Sequence, residues 1–291
     1  MANTKDIRRR IKSIRNIGQL TKAMQMVAAS KMRRAQQSAL AGRSYASLMN
    51  KVLVSLQQRS DPKMHPLLQI REVKRELVLI ISTDKGLAGA INTNLFREAG
   101  RFDTAKTGYV VAGRKARQFI ARTKREMLAD FELKDAPGFI ETKPIAQFVT
   151  EKFLSGEVDK VSVLFTHFIN TVTQQALVHT LLPISNFDLP HGTASETAGE
   201  SADPMIGYTF EPNPEGVLDV MLPYYIRYQV YQMILDARAS EHSARMVAMK
   251  NATDNAKEFI TDLTLEYNKM RQASITTELL EIATAQMALG S

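Results

Sequence analysis

Apolar and small residues recur at alternating steps of four and three along the first fifth of the chain, at Ile7, Ile11, Ile14, Gly18, Thr21, Gln25, Ala28, Met32, Ala35, Ala39, Gly42, Ala46, Met49, Leu53 and Leu56. This spacing follows one face of an α-helix and, held over such a length, forms a heptad-like seam. No proline falls between Thr4 and Gln58, so the pattern predicts one helix of ~55 residues, or ~80 Å at 1.5 Å per residue. The middle of the seam is Ala and Gly, which let another helix approach closely, and Ile17 and Met24 flank it. The last third repeats the pattern at Leu218, Met221, Tyr225, Tyr228, Gln232, Leu235, Ala239, His242, Met246, Met249, Thr253, Ala256, Ile260, Leu263, Tyr267 and Met270. A second helix is predicted from about Val217 to Met287, ~105 Å long. Pro223, near its start, should kink it or mark its first turn.

Between these segments the period changes. Leu77–Ile81, Tyr109–Val111, Val161–Phe165 and Ala176–Val178 are short β-rich runs, and helical stretches near 88–99, 114–123 and 144–155 separate most of them. Strands alternating with helices argue for an α/β domain with a largely parallel sheet. Asn186 to Asp203 is rich in Ser, Thr, Ala, Gly and Glu without apolar periodicity, and reads as a mobile loop.

A helix with an apolar seam must bury it, and the one other segment of matching length and period lies at the far end of the chain. Loop-closure entropy grows slowly with length, so the two can pair across the intervening domain. The expected fold is therefore α/β: a long antiparallel coiled coil of N- and C-terminal helices with an inserted Rossmann-like α/β domain. Its parts are a coiled-coil helix over 1–60, an α/β domain over 70–210 with a mobile loop at 186–205, and a second coiled-coil helix over 211–291. Placing Gln58 beside Val217 brings Thr4 opposite about Arg271, because both helices advance equally per residue. Everything beyond Arg271 should then protrude as a lone helix, apolar or small nearly all round in its last turns. Such a surface calls for an enclosing partner.

The net charge of +8 is unevenly placed: residues 1–59 hold thirteen Lys and Arg against Asp6 alone, and the rest of the chain is net −4. Such asymmetry points to a polyanionic partner or an acidic protein surface. The chain has no cysteine, which excludes disulfides, thiolate metal sites and thiol chemistry. No run approaches the ~18 apolar residues of a membrane span, and Met1–Asp6 lacks the apolar core of a signal peptide.

Motifs of catalysis are weak. Ser82-Thr83-Asp84-Lys85-Gly86-Leu87-Ala88-Gly89 follows a strand and opens a helix, where phosphate loops sit, but it lacks both the Gly-Lys-Ser/Thr ending and the dinucleotide glycine pattern. A structural turn is the favoured reading. The five histidines show no metal spacing, Glu278 and Glu281 have no neighbouring nucleophile, and no Gly-x-Ser-x-Gly occurs. No catalytic, cofactor or metal site is expected. Nucleic acid is disfavoured as a partner because the basic helix has no aromatic before Tyr45 and its seam is taken by a helix. A coiled-coil protein binding RNA through the basic helix is the main rival reading, and a nucleotide-using enzyme the next.

Two long motifs carry a resemblance. Ile7-Arg8-Arg9-Arg10-Ile11 through Leu20-Thr21-Lys22-Ala23-Met24-Gln25-Met26-Val27-Ala28-Ala29-Ser30-Lys31-Met32, with Ala244-Arg245-Met246-Val247-Ala248-Met249-Lys250-Asn251-Ala252-Thr253-Asp254-Asn255-Ala256 and Tyr267-Asn268-Lys269-Met270-Arg271-Gln272-Ala273-Ser274-Ile275-Thr276-Thr277-Glu278-Leu279, resembles the signatures of ATP synthase gamma subunits. The similarity in element order covers essentially the whole chain. It implies a non-catalytic central-stalk rotor of an F-type ATP synthase, coupling proton flow through the membrane sector to ATP synthesis in the beta subunits. The implied contacts with the alpha/beta ring are Lys22, Met24, Arg271, Gln272, Thr276 and Glu278. The implied bearing tip is Leu279, Leu280, Ile282 and Met287. Tyr208, Phe210 and Glu211 fall to the foot that meets the epsilon subunit and the membrane c-ring, so that membrane association is indirect. The implied location is the cytoplasmic face of a bacterial inner membrane. Ala283-Thr284-Ala285-Gln286-Met287 departs from the small residues usual near the tip, and the absence of cysteine excludes the dithiol control of chloroplast relatives.

Overall fold

The computed structural model describes residues 4–57, 65–185, 211 and 213–289, among which lie six helices and five strands. The elements are α1 (Thr4–Ala41), α2 (Arg43–Gln57), β1 (Glu76–Ile81), α3 (Ile91–Ala99), β2 (Thr107–Ala112), α4 (Arg114–Arg122), β3 (Met127–Phe131), α5 (Phe139–Leu154), β4 (Lys160–Phe168), β5 (Gln174–Leu182) and α6 (Pro214–Leu289). Contacts divide the chain into two compact units, one of Met1–Ala28 with Arg245–Ser291 and one of Ala29–Ala244.

The larger unit is built on a five-stranded sheet of order β3-β2-β1-β4-β5. The first four strands are parallel and β5 returns antiparallel to β4. Alternate residues of β1 serve opposite faces, as the pleat requires. Val78 and Ile80 join Tyr109, Val111 and Leu164 against Leu95 and Ala99 of α3 and Ala116 and Ile120 of α4. Leu77, Leu79 and Ile81 join Val161, Val163 and Phe165 against Val149 and Phe153 of α5, Leu53 and Leu56 of α2, and Tyr225, Ile226, Val230 and Ile234 of α6. With both faces covered, β1 has five consecutive buried residues, the continuous apolar run typical of a central parallel strand.

The smaller unit pairs the start of α1 with the end of α6. Thr21 Oγ1 and Thr253 Oγ1 share a 2.7 Å hydrogen bond, and a Cβ placed on Gly18 would lie 3.4 Å from the Ala256 Cβ. Within the larger unit the hydroxyl of Tyr228 donates to the Gly42 carbonyl at 2.7 Å. The antiparallel register matches the sequence expectation to within a few residues in each unit. Every seam position whose burial is described is buried or half-buried, from Ile7 to Leu56 and from Leu218 to Met270.

Two expectations are corrected, the reading of Pro223 narrows to one of its two forms, and one strand lay outside the expectations. The single first helix is two, α1 and α2, parted at Gly42. Here α6 comes so near that an added Cβ would lie 2.5 Å from the Tyr228 hydroxyl and 2.8 Å from Gln232 Nε2. Pro223 is inside α6 and does not mark its first turn; Pro214 holds the first helical position, where a missing N–H costs nothing. Strand β3, Met127-Leu128-Ala129-Asp130-Phe131, was not legible as a strand because an edge strand needs no apolar run, and none of its residues is fully buried. Helix α5 begins at Phe139, ahead of the expected 144, with Glu141 accepting from the Gly138 N–H at 3.3 Å and Pro144 inside the helix. The loop at 186–205 lies outside the described residues.

Two glycines give unequal expectations. Gly113 precedes α4 with φ of +113°, and a Cβ there would lie 2.4 Å from the Ser82 carbonyl oxygen. Gly113→Ala combines backbone strain with a backbone clash and should lose about 2–4 kcal/mol. Gly42→Ala adds no backbone strain but must displace the buried, hydrogen-bonded ends of Tyr228 and Gln232, so its loss should be the smaller, about 1–2 kcal/mol. Chemical denaturation of both variants beside the parent chain checks the contrast.

Candidate functional site

In the smaller unit the helix pair ends before α6 does. The Thr21–Thr253 pairing places Thr4 opposite about residue 270, since both helices rise equally per residue. From Arg271 to Gln286 every residue of α6 is exposed. Ile275, Leu279, Leu280 and Ile282 present 44–62% of their surface to solvent. The hydroxyls of Thr276, Thr277 and Thr284 donate to carbonyls one turn back, at Gln272, Ala273 and Leu280, which masks their polarity along the helix. Further down the pair, Ile17, Leu20, Met26 and Val27 of α1 and Phe259 and Leu265 of α6 are each more than half exposed. Arg8, Arg9, Arg10, Lys12, Arg15 and Lys22 are exposed on the same part of α1. The surface is thus basic and apolar together, a composition that suits docking in an enclosing protein wall.

The structure brings the sequence-predicted contact residues into two stations. Arg271, Gln272, Thr276 and Glu278 lie within two turns of α6, all exposed. Arg271 and Glu278 share one face by their seven-residue spacing, as Gln272 and Thr276 share another by four. Lys22, exposed and donating to Gln25 Oε1 at 3.3 Å, and half-buried Met24 lie on α1 near residues 250–252 of α6. About 19 residues, or ~28 Å of helix, part the stations. Leu279, Leu280 and Ile282 are exposed on the tip; Met287 is helical, with its side chain outside the described set. Glu211 is exposed, and Tyr208 and Phe210 lie outside the described residues.

The larger unit holds polar chemistry that the sequence did not reveal. In a sheet of this order successive strands are added first on one side of β1 and then on the other, and open α/β sheets bind ligands in the crevice beyond the strand ends at such a switch, here between β1 and β4. Here that crevice is lined by Ser82, Thr83, Asn92 and Thr166, and α6 reaches into it with Arg238 and Glu241. Arg238, 3% exposed, donates to Glu241 Oε2 at 2.8 Å, Asp84 Oδ2 at 3.1 Å and the Leu133 carbonyl at 3.3 Å. Burial works against its charge, but Glu241 and Asp84 outweigh burial and hold the guanidinium above its ordinary value. The turn after β1 is likewise occupied from within: Ser82 Oγ accepts from the Ala116 N–H at 2.8 Å, Asn92 donates to Thr83 Oγ1 at 2.8 Å, and Asp84 Oδ1 accepts from the Arg114 N–H at 3.1 Å. A phosphate here would meet the Asp84 and Glu241 carboxylates.

Two further contacts hold α6. Asp236 accepts from the Phe168 N–H at 3.1 Å and lies 2.7 Å from His167 Nδ1. Asp135, in the loop between β3 and α5, pairs with Lys31 of α1 at 2.5 Å and with His242 of α6 at 3.3 Å. Burial would raise the Asp135 carboxyl, but the Lys31 hydrogen bond and the charges of His242, Lys31 and Arg238 bring it below the usual carboxylate range. The hydrogen bond to Asp236 lifts His167 above the ordinary imidazole value, against the lowering by burial and with the help of the Asp236 charge.

The family model described as ATP synthase matches residues 3–289. The ATP synthase gamma chain of Opitutus terrae is 50% identical, and that of Methylacidiphilum infernorum 48%, each alignment covering all of both chains. Among solved structures, the central stalk and c-ring of the Tetrahymena thermophila mitochondrial ATP synthase contains a chain 25% identical, with a TM-score of 0.60, covering 80% of this chain and 99% of that one. The rotor of the Euglena gracilis mitochondrial enzyme superposes with a TM-score of 0.67 at 17% identity, over 94% of this chain and 98% of that one, a likeness of fold. The chain belongs to the ATP synthase family, within its gamma chains. It is thus a central-stalk component of that machine, one part of an enzyme complex.

The raised His167 gives a signed expectation. A histidine whose folded pKa exceeds its unfolded value contributes stability that is complete below the unfolded pKa and is lost as pH rises through the folded one. The melting temperature should therefore fall from about pH 6.5 upward. His167→Gln should flatten that slope, as thermal melts across the neutral range will show.

Proposed function

We propose that this chain is the non-catalytic shaft whose rotation couples proton flow to ATP synthesis in the beta subunits of the surrounding ring. The observation that carries the reading is the exposed run Arg271–Gln286, a helix with an apolar surface and, among the described residues, no partner helix at its register. A lone helix bearing Leu279, Leu280 and Ile282 in water is unfavourable, and an enclosing ring of alpha and beta subunits removes that cost. Lys22 and Met24 on one level, and Arg271, Gln272, Thr276 and Glu278 on another, are the proposed contacts with mobile loops of the ring. Leu279, Leu280, Ile282 and Met287 form the bearing. The exposed basic residues of α1 attract acidic ring loops over a Debye length of ~8 Å.

An asymmetric shaft can hold three like sites in different states only by touching them differently, since equal contact with each would shift none. The α/β domain, with Tyr208, Phe210 and Glu211, serves as the foot that meets the epsilon subunit and the c-ring. No helix among the described residues is long and apolar enough to cross a membrane. The foot therefore reaches the membrane through its partners, on the cytoplasmic face of a bacterial inner membrane. We assign the domain limits as 1–60 and 211–291 for the shaft and 70–210 for the foot.

Mixing purified alpha and beta subunits with this chain, or with a form ending at Arg271, tests the reading by ATP hydrolysis. The full-length chain should assemble the ring and stimulate turnover, and the shortened one should stimulate less by about tenfold, within the usual range for coupling between sites. Failure of both forms to associate with the ring overturns the assignment.

A further inference from the structure

We infer that Asp236 and Arg238 form the pair that prevents α6 from turning within the α/β domain, and so pass torque from that domain to the shaft; the inference rests on the rotor reading. Residues 232–243 of α6 are all buried, so this stretch is gripped on every side. Apolar burial as a driving force is non-directional, while the interdigitated side chains of a close-packed core resist withdrawal and turning alike. Hydrogen bonds to charged groups are directional, and the guanidinium fork has fixed geometry. Asp236 and Arg238 are two residues apart and thus about 200° apart around the helix.

On one side Asp236 is held by His167 and the Phe168 N–H of β4. On the other, Arg238 is held by Asp84 and by the carbonyls of Leu133 and Lys134. Two anchors whose positions lie about 200° apart around the helix constrain its rotation more than a single anchor does. One turn beyond Arg238, Asp135 adds a grip on His242 and reaches α1 through Lys31. The loop from Leu133 to Asp135 therefore touches both helices of the shaft. Within the larger unit these contacts join the sheet to the helices without passing through residue 211 or its neighbours.

The test uses the assembled ATP synthase in inverted membrane vesicles, read by ATP hydrolysis and by ATP-driven proton pumping. Arg238→Met keeps the side-chain bulk and removes the fork; Asp135→Ala alters a side chain that is about half exposed; Asp135→Glu restores a carboxylate. The expected result is hydrolysis within about twofold of the parent but protons pumped per ATP lowered about threefold or more in Arg238→Met, less in Asp135→Ala, with recovery in Asp135→Glu. An unchanged pumping ratio in both loss variants overturns the inference. So does a proportional fall of hydrolysis and pumping with loss of subunits from the complex, the mark of a merely structural role. Parent vesicles lacking this chain serve as the separate check: if they still pump, the rotor reading itself fails.

Discussion

The structure depends on one helix being buried on all sides. Over most of its length α6 buries a single seam, as a coiled-coil helix should, but from Gln232 to Ser243 no residue is left to solvent. A surface helix can carry charges on its outer face at no cost; a helix enclosed by a sheet, a loop and two other helices cannot. Asp236, Arg238, Glu241 and His242 must each meet a partner: Glu241 meets Arg238 on α6 itself, and the others meet the end of β4, the turn after β1 and the loop before α5. Removing one member of such a cluster leaves the others buried and unpaired, a loss of about 3–5 kcal/mol. The positions of three separate loops are thus tied to three residues on one helix.

Away from that enclosure the pairing is of another kind. Thr21 and Thr253 meet through hydroxyls in a stretch of small residues, with Gly18 near Ala256 and Ala28 buried. Small side chains bring the backbones close, and a hydrogen-bonded polar pair within a mainly apolar seam favours a single register over those one turn away. The outward surfaces there keep large apolar groups exposed, Ile17, Leu20 and Phe259 among them, which is unusual for a helix pair that has already satisfied its own seam. The chain keeps this apolar surface for something outside itself.

Much of the fold was legible because periodicity is strong wherever one face alone is buried. The helical runs at both ends of the chain and their antiparallel register follow from it, while β1, β2 and β4, covered on both faces, showed instead as near-continuous apolar runs. What escaped lies where periodicity carries no information. An edge strand such as β3 needs little apolar area, and Gly42 in a helical run gives no sign that a tyrosine will take its carbonyl. The exposed tip could be read from the difference in helix lengths, and the specific residues on it from two long motifs. The Arg238 cluster was not legible: within a helical pattern, Asp236, Arg238 and Glu241 look like solvated charges. The one signal was negative, since three charges spaced two and three apart cannot all lie on the outer face of a helix whose seam also claims Leu235, Ala239 and His242.

The occupied crevice at the switch between β1 and β4 has a consequence best put as binding. In folds of this type that crevice receives a free ligand, whose occupancy rises and falls with its concentration. Here the occupant is part of the same chain, so its effective concentration is fixed by covalent connection and does not vary with supply. The sheet acts as a receptor that never sees its ligand leave, and an architecture elsewhere used for exchange serves here for permanent attachment.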